Sequence, residues 1–249
     1  MDAFRISFKK LEFFCDTEKF VGWDPYDGLN SWVIQKTPIG KSRFIRLAWI
    51  QLFKRNPINF RPLFGIKKDY NPKGLGLFLT GYCNLYKIEP KDEYLEKINF
   101  LSTKIIELKT SGYSGACWGY NFDWQARAFF QPKYTPTVVA TSFIGEALIE
   151  AYKLTNRKEL LDTAISCSEF ILKDLNRTYD EEGDFTFSYS PLDSTQVYNA
   201  GLLGAKLLSL IYPYTEDDNL LDTAKKVVSY VCKRQTKEGA WSYGTLPFH

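Results

Sequence analysis

Leu160-Leu161-Asp162-Thr163-Ala164 recurs sixty positions later as Leu220-Leu221-Asp222-Thr223-Ala224. The same interval pairs Ala140 with Ala200, Phe143 with Leu203, Leu148 with Leu208 and Tyr152 with Tyr212, so the register runs from one helical pattern into the next. Upstream, an interval of 66 aligns Leu79 with Gly145, Tyr86 with Tyr152, Lys87 with Lys153 and Tyr94-Leu95 with Leu160-Leu161. A unit of two apolar helical stripes cannot bury both alone and must stack on its neighbours, as solenoid and toroid repeats do. The chain is therefore expected to be all-α, an array of helix hairpins with three clear units. A degenerate fourth would begin at Asp27-Gly28-Leu29-Asn30 and use the pattern of Lys41 to Arg55 as its second helix. Inner helices are expected near 137–152 and 196–212, and outer ones near 158–175 and 219–234.

Phe143, Ala147, Leu148, Ala151 and Tyr152 follow the spacing of one apolar helical face, and Ile165, Cys167, Phe170, Ile171 and Leu172 supply the next. Small residues crowd the first helix of each pair: Gly74, Gly76 and Gly81, then Ala140, Gly145 and Ala147, then Ala200, Gly201, Gly204 and Ala205. That pattern suits an inner ring of closely approaching helices.

A chain of 249 residues with 45% apolar content can bury a sizeable core, and residues 1–249 read as one domain. The opening Met1 to Lys19 lacks the continuous apolar run of a signal peptide, and nothing approaches the roughly 18 apolar residues of a membrane helix. A cytoplasmic protein is expected. Cys15, Cys83, Cys117, Cys167 and Cys232 are odd in number and widely spaced, which favours reduced core thiols. The sole histidine, His249, excludes a Ser-His-Asp or Cys-His arrangement. It also argues against zinc, and no GxxxxGK[ST] phosphate loop is present, so neither metal nor cofactor is expected.

Charge is uneven. Nine of the 32 basic residues and none of the 29 acidic ones lie between Gly28 and Lys68. Such a run is ordinarily a solvated helix surface. It also suits an anionic sugar polymer, an acidic membrane surface met through segment 36–68, or a partner protein. Nucleic acid ranks last, because no recognition motif accompanies the charge.

Three loops share an aromatic pattern: Gly115-Ala116-Cys117-Trp118-Gly119-Tyr120, Gly183-Asp184-Phe185-Thr186-Phe187-Ser188-Tyr189 and Gly239-Ala240-Trp241-Ser242-Tyr243. Each glycine would permit a tight helix exit, and the alternating aromatics read as extended chain. The rings of Trp118, Tyr120, Trp241 and Tyr243 either plug the core or line a cleft that stacks on sugars or an isoprenoid chain.

With Ala147 to Thr155 followed by the Leu-Leu-Asp-Thr-Ala segment, these features resemble the α/α-toroid superfamily, which includes glucuronyl epimerases, polysaccharide lyases, six-hairpin glycosidases and terpenoid cyclases. Gly22 to Ser31 and Trp118 to Gln125 resemble a bacterial group found with surface-polysaccharide synthesis proteins. The resemblance implies an α/α toroid acting on, or binding, an acidic polysaccharide or a lipid-linked glycan. Members of that group continue into another helix where this chain has Phe248-His249, so an incomplete C-terminal end with an exposed apolar groove is expected.

Two loops gather polar groups, Asp24, Asp27 and Asn30 in one and Asn121, Asp123, Gln125 and Arg127 in the other. Hydrolysis of a glycosidic bond needs two carboxyl groups, for which Asp27 and Asp123 are the candidates. Asp24 and Asp27 are equally suited to making turns. Epimerisation or elimination at a uronate instead needs a base such as Tyr120, Tyr243, Tyr134 or Tyr198, with Arg127, Gln125, Asn121 or Asn199 holding the carboxylate. Asn30, Trp118 and Trp241 complete the expected sugar contacts, and all these loops are expected at one end of the barrel. Two rivals stand beside this reading: a non-catalytic glycan-binding scaffold, and a terpenoid cyclase-like enzyme using Asp180-Glu181-Glu182, which otherwise reads as a charged turn.

Overall fold

A computed structural model describes residues 3–126 and 129–245, which fall into two compact units. The first comprises residues up to Asn71 together with Asn121–Ala126; the second comprises Pro72–Tyr120 and the chain after Ala126.

In the first unit α1 (Ala3–Thr17) is followed by a 3-10 turn at Asp27–Asn30, α2 (Trp32–Lys36), a second 3-10 turn at Pro38–Lys41, α3 (Arg43–Arg55) and the two-residue strand β1 (Trp124–Gln125). Ser31 and Ser42 cap α2 and α3, their hydroxyls accepting from the Ile34 and Ile45 amides. Leu29, Ile34 and Ile50 form a core with Tyr26, Ile45, Trp49 and Trp124 packed against it. The expected fourth hairpin is only half realised. The helix over Lys41–Arg55 forms as α3, but its partner stops after the five residues of α2. Pro38 holds the preceding Thr37 in extended conformation (φ −123°, ψ 155°), which ends the helix. Gly40 then folds back so tightly that a Cβ there would lie 2.2 Å from the Ile34 carbonyl oxygen.

The second unit is the repeat made solid. Its inner helices are α4 (Pro72–Ile88), α6 (Val138–Thr155) and α8 (Tyr198–Thr215); each is followed by an outer helix, α5 (Asp92–Glu107), α7 (Lys158–Lys173) or α9 (Asp218–Cys232). Each inner helix packs on its outer partner and on the next inner helix. Helix starts are separated by 66 and then 60 residues in both layers, the intervals of the sequence repeat. The turns repeat as well: Asn156 and Glu216 both adopt the left-handed conformation (φ 55° and 54°), and their amides close on the Tyr152 and Tyr212 carbonyls. The duplicated Leu-Leu-Asp-Thr-Ala segment lies early in each outer helix, with Leu160, Ala164, Leu220 and Ala224 buried and Asp162 and Asp222 exposed. Full burial of one such leucine contributes about 2 kcal/mol.

Small residues do bring the inner helices together. A Cβ on Gly145 would meet Leu207 at 2.7 Å, and one on Gly204 would meet Val138 at 3.0 Å. Gly81 differs, with open space where its side chain would stand. Glu146 and Lys206, at one repeat interval, pair at 2.7 Å across α6 and α8. Cys83, Cys117 and Cys167 are buried in this unit, as Cys15 is in the first. Cys232 departs from the core-thiol expectation: it ends α9 and is exposed. Among the described residues no helix is long and apolar enough to cross a membrane.

Candidate functional site

The loops that lead from α5 to α6, from α7 to α8 and away from α9 carry the aromatic motifs, and within each motif the rings do different jobs. Trp118 is fully buried; its indole nitrogen donates to the Ile105 carbonyl at 2.8 Å, which makes it part of the interior of the hairpin array. The two-residue strand β2 (Phe130–Gln131) precedes α6; Phe185 and Phe187 lie buried in β4 (Phe185–Phe187), which pairs antiparallel with β3 (Arg177–Tyr179). Gly183 (φ 84°) therefore serves a strand turn and not a helix exit, while Gly239 (φ 81°) lies in the loop beyond α9. Gly115 is required for close approach instead, since a Cβ there would stand 2.0 Å from the Ser166 carbonyl oxygen.

The last residue of each motif is a tyrosine, and these converge. The Tyr120 and Tyr189 phenol oxygens are 3.4 Å apart, and Tyr243 is near enough to act electrostatically on Tyr189. Each is held by its backbone. The Tyr120 carbonyl accepts from the Tyr134 amide at 2.7 Å, and Gly119 beside it leaves no room for a side chain. Asp193 accepts from the Tyr189 amide at 3.2 Å and from the Ser190 amide at 2.8 Å, which fixes the second loop. The Tyr243 carbonyl accepts from the Tyr198 amide at the start of α8. Burial first, and then the neighbouring Tyr120, push the Tyr189 phenol well above the ordinary tyrosine range, so it stays protonated.

Tyr243 also borders an apolar groove of about 740 Å³ on the last hairpin, lined chiefly by Tyr198, Leu202, Val228, Val231 and Trp241, with Asn199 at its edge. Trp241 is half exposed there, its indole nitrogen tied to the Val231 carbonyl at 2.9 Å. Val228 is exposed and Leu202 half-buried in the groove, whereas their counterparts one repeat earlier, Ser168 and Ser142, are buried; Tyr198 and Val231 are buried, as are their counterparts Val138 and Ile171. At those positions α8 lies over the hairpin, with Gly204 against Val138.

The other polar candidates belong to the first unit. Asp27 is buried, receives the Arg61 guanidinium at 2.7 Å and accepts from the Asp24 amide at 3.1 Å. Burial raises its carboxyl above the usual range, against the pull of Arg61. Asp24 accepts from the Tyr26 amide and from the Asn71 side chain, so both aspartates shape this loop. Asp123 accepts from Gln35 at 2.7 Å, and Gln125 accepts from Arg46 at 2.8 Å. The Asn30 side chain donates to the Asn121 carbonyl at 3.0 Å, and the side-chain oxygens of both asparagines are buried without a partner in the described residues. Asp27, Asn30, Asn121, Asp123 and Gln125 belong to the first unit, with Asn30 and Asn121 in direct contact, and Trp118, Tyr120, Trp241 and Tyr243 belong to the second. Arg127 and His249 lie outside the described residues.

Sequence reasoning passed over Tyr189 as a site residue, although its place at the end of the second aromatic motif marked it. It also passed over Arg61, Gln35 and Arg46, which carry no spacing signal. The acidic turn has an occupant of its own: Lys233 meets Asp180, Glu182 and Asp184 at 3.5, 2.7 and 2.6 Å, clamping α9 to the β3–β4 turn. Among the described residues no three His, Cys, Asp or Glu side chains gather to hold a metal ion.

No protein-family model matches the chain, and no curated protein matches it. Solved structures do. A sugar epimerase from a ruminal bacterium aligns with a TM-score of 0.54 at 18% identity, over 74% of this chain and 51% of its own. A D-mannose isomerase aligns at 0.51 and 17% identity, over 90% and 61%. A GH76 α-mannanase of Bacteroides thetaiotaomicron aligns at 0.50 and 18%, over 69% and 47%. The fold is accordingly that of the α/α toroids, and the chain spans about half to three fifths of the length of these structures. Three different chemistries share that fold, so it does not select among them.

Proposed function

We propose that the tyrosine-bearing end of the hairpin array is a glycan site, and that the chain acts on or binds an acidic glycan or its lipid-linked precursor in bacterial surface-polysaccharide biosynthesis, in the cytoplasm. The observation that carries this reading is the convergence of Tyr120, Tyr189 and Tyr243 from three successive repeats beside an apolar groove. The printed names of similarly folded structures, an epimerase, an isomerase and a mannanase, support a sugar ligand. The acid-free segment from Gly28 to Lys68 supports an anionic one, and it is the stretch suited to meet a membrane that carries a lipid-linked substrate.

The phenol pair favours proton abstraction over hydrolysis. Tyr189 keeps its proton and can donate it in a hydrogen bond to the Tyr120 oxygen, which stabilises a phenolate on Tyr120. The 3.4 Å separation is long for such a bond, as catalytic hydrogen bonds often are before substrate arrives. A Tyr120 phenolate would take the proton from the carbon next to a uronate carboxylate. The enolate charge that develops needs a cation or amide, the role proposed for Arg127 or Asn199. Tyr243 is a second base candidate, with Trp241 as a stacking surface.

Hydrolysis would instead use Asp27 and Asp123, but Asp27 is engaged by Arg61 and by its own turn. That engagement equally suits a scaffold that binds glycan without turnover. Incubation with a uronate-containing oligosaccharide in heavy water separates the three. Deuterium at the carbon next to the carboxylate, lost in Tyr120→Phe, is the expected result. Chain cleavage with water addition would assign the carboxylates, and binding without exchange or cleavage would assign the scaffold.

A further inference from the structure

We propose that the first unit docks on the surface of an anionic lipid bilayer through the outward face of α3. This deepens the membrane contact proposed above for the same stretch and rests on that part of the reading, while its test is independent of the glycan chemistry. The helix is apolar on two sides. Ile50 and Phe53 enter the unit's core, whereas Phe44, Ala48 and Leu52, spaced i, i+4 and i+8, face solvent. Phe44 is 81% exposed and Leu52 45% exposed, on a helix whose core side is already satisfied. The exposed Arg43, Lys54 and Arg55 border this stripe, and Lys41 precedes it. Trp32 and Ile39, in the short elements just before α3, are also exposed.

Charge decides the occupant. Surface helices ordinarily interleave acids with bases, which keeps them soluble and unattached. Here no carboxylate occurs from Gly28 to Lys68, so α3 and the elements just before it carry cations alone. Aromatic and aliphatic tips within a rim of lysine and arginine are the composition of helices that lie in a membrane interface: the apolar side chains enter the acyl boundary and the cations meet lipid phosphates. An acidic protein partner would satisfy the charges but would not call for the exposed Phe44 and Leu52 between them.

The test is flotation of the purified 249-residue protein with phosphatidylcholine vesicles, with and without phosphatidylserine, and with no glycan present. We expect capture by the anionic vesicles only, weakening as salt rises. Lys41→Gln combined with Arg55→Gln should weaken binding roughly tenfold or more. Phe44→Ser and Leu52→Ser, at exposed positions, should keep the wild-type melting temperature and lose vesicle binding. No capture by anionic vesicles, or capture unaffected by Phe44→Ser, would overturn the proposal. Concentration-dependent self-association abolished by Phe44→Ser, without vesicle binding, would assign the face to a second copy of the chain. Because no glycan is present, failure here leaves the glycan reading untouched.

Discussion

Tyr120 and Tyr189 are 69 residues apart in sequence, yet their phenol oxygens lie 3.4 Å apart, brought together by the stacking of successive hairpins. The pair joins fold to proposed chemistry, because the repeat returns the same kind of loop to the same end and so sets two phenols side by side. Tyr189→Phe should then act through Tyr120. It removes the donor while leaving the ring, so deuterium exchange at a uronate should fall by about 10- to 100-fold and its pH profile should move to higher pH, as the Tyr120 phenolate loses support. Tyr120→Phe should abolish exchange with little change in ligand affinity. A purely structural role for Tyr189 would lower stability without moving the pH profile.

Two glycines should respond in opposite directions to alanine. At Gly119 an added Cβ would stand 2.3 Å from the Thr135 carbonyl oxygen, which is backbone and cannot yield, so Gly119→Ala should destabilise by about 3 kcal/mol. At Gly81, inside α4, nothing lies within 4 Å, so Gly81→Ala should stabilise by roughly 0.5–1 kcal/mol through helix propensity. Urea denaturation of the two variants checks both signs.

Glu216 occupies the left-handed turn position that Asn156 fills one repeat earlier. A side chain such as glutamate costs roughly 1–2 kcal/mol there, and asparagine is better tolerated. Glu216→Asn should therefore raise the melting temperature by roughly 2–4 °C, whereas Asn156→Glu should lower it.

The thiols make stability fall in alkali. Burial pushes Cys83 and Cys117 up to about 12, whereas an unfolded thiol titrates near 8.5. The unfolded chain releases these protons first, so the contribution is fully present below the unfolded value and is lost as pH rises from about 8.5 toward 12. Unfolding free energy should drop by about 1 kcal/mol per pH unit per thiol in that window, and Cys83→Ala should flatten the slope. In the native protein at neutral pH a thiol reagent should label Cys232 rapidly and the four buried cysteines only on unfolding.

The second unit was legible because its signal is periodic. Leu160 and Leu220 occupy the same buried site in successive hairpins, and the intervals of 60 and 66 fix where each helix begins. The first unit has no such redundancy. Arg61 reaches Asp27 across 34 residues and Gln35 reaches Asp123 across 88, pairings that leave no trace in hydrophobic spacing. The fourth hairpin misled for a related reason, since the apolar pattern of α3 is genuine but Pro38 and Gly40 prevent a partner of equal length. In the aromatic loops the alternation marked the right segments but not which ring faces inward. Trp118 went to the interior and Tyr189 joined the phenol cluster, a choice made by tertiary packing.

The central claim, a glycan site at the tyrosine end, is tested most directly by titration calorimetry with a uronate-containing oligosaccharide and a neutral oligosaccharide of equal length. The wild-type chain should bind the acidic ligand, bind the neutral one at least about tenfold more weakly, and lose affinity for both when Trp241→Ala and Tyr243→Ala remove the aromatic surface. Equal affinity in the wild type and the double variant would contradict the account and move any glycan contact to another part of the chain.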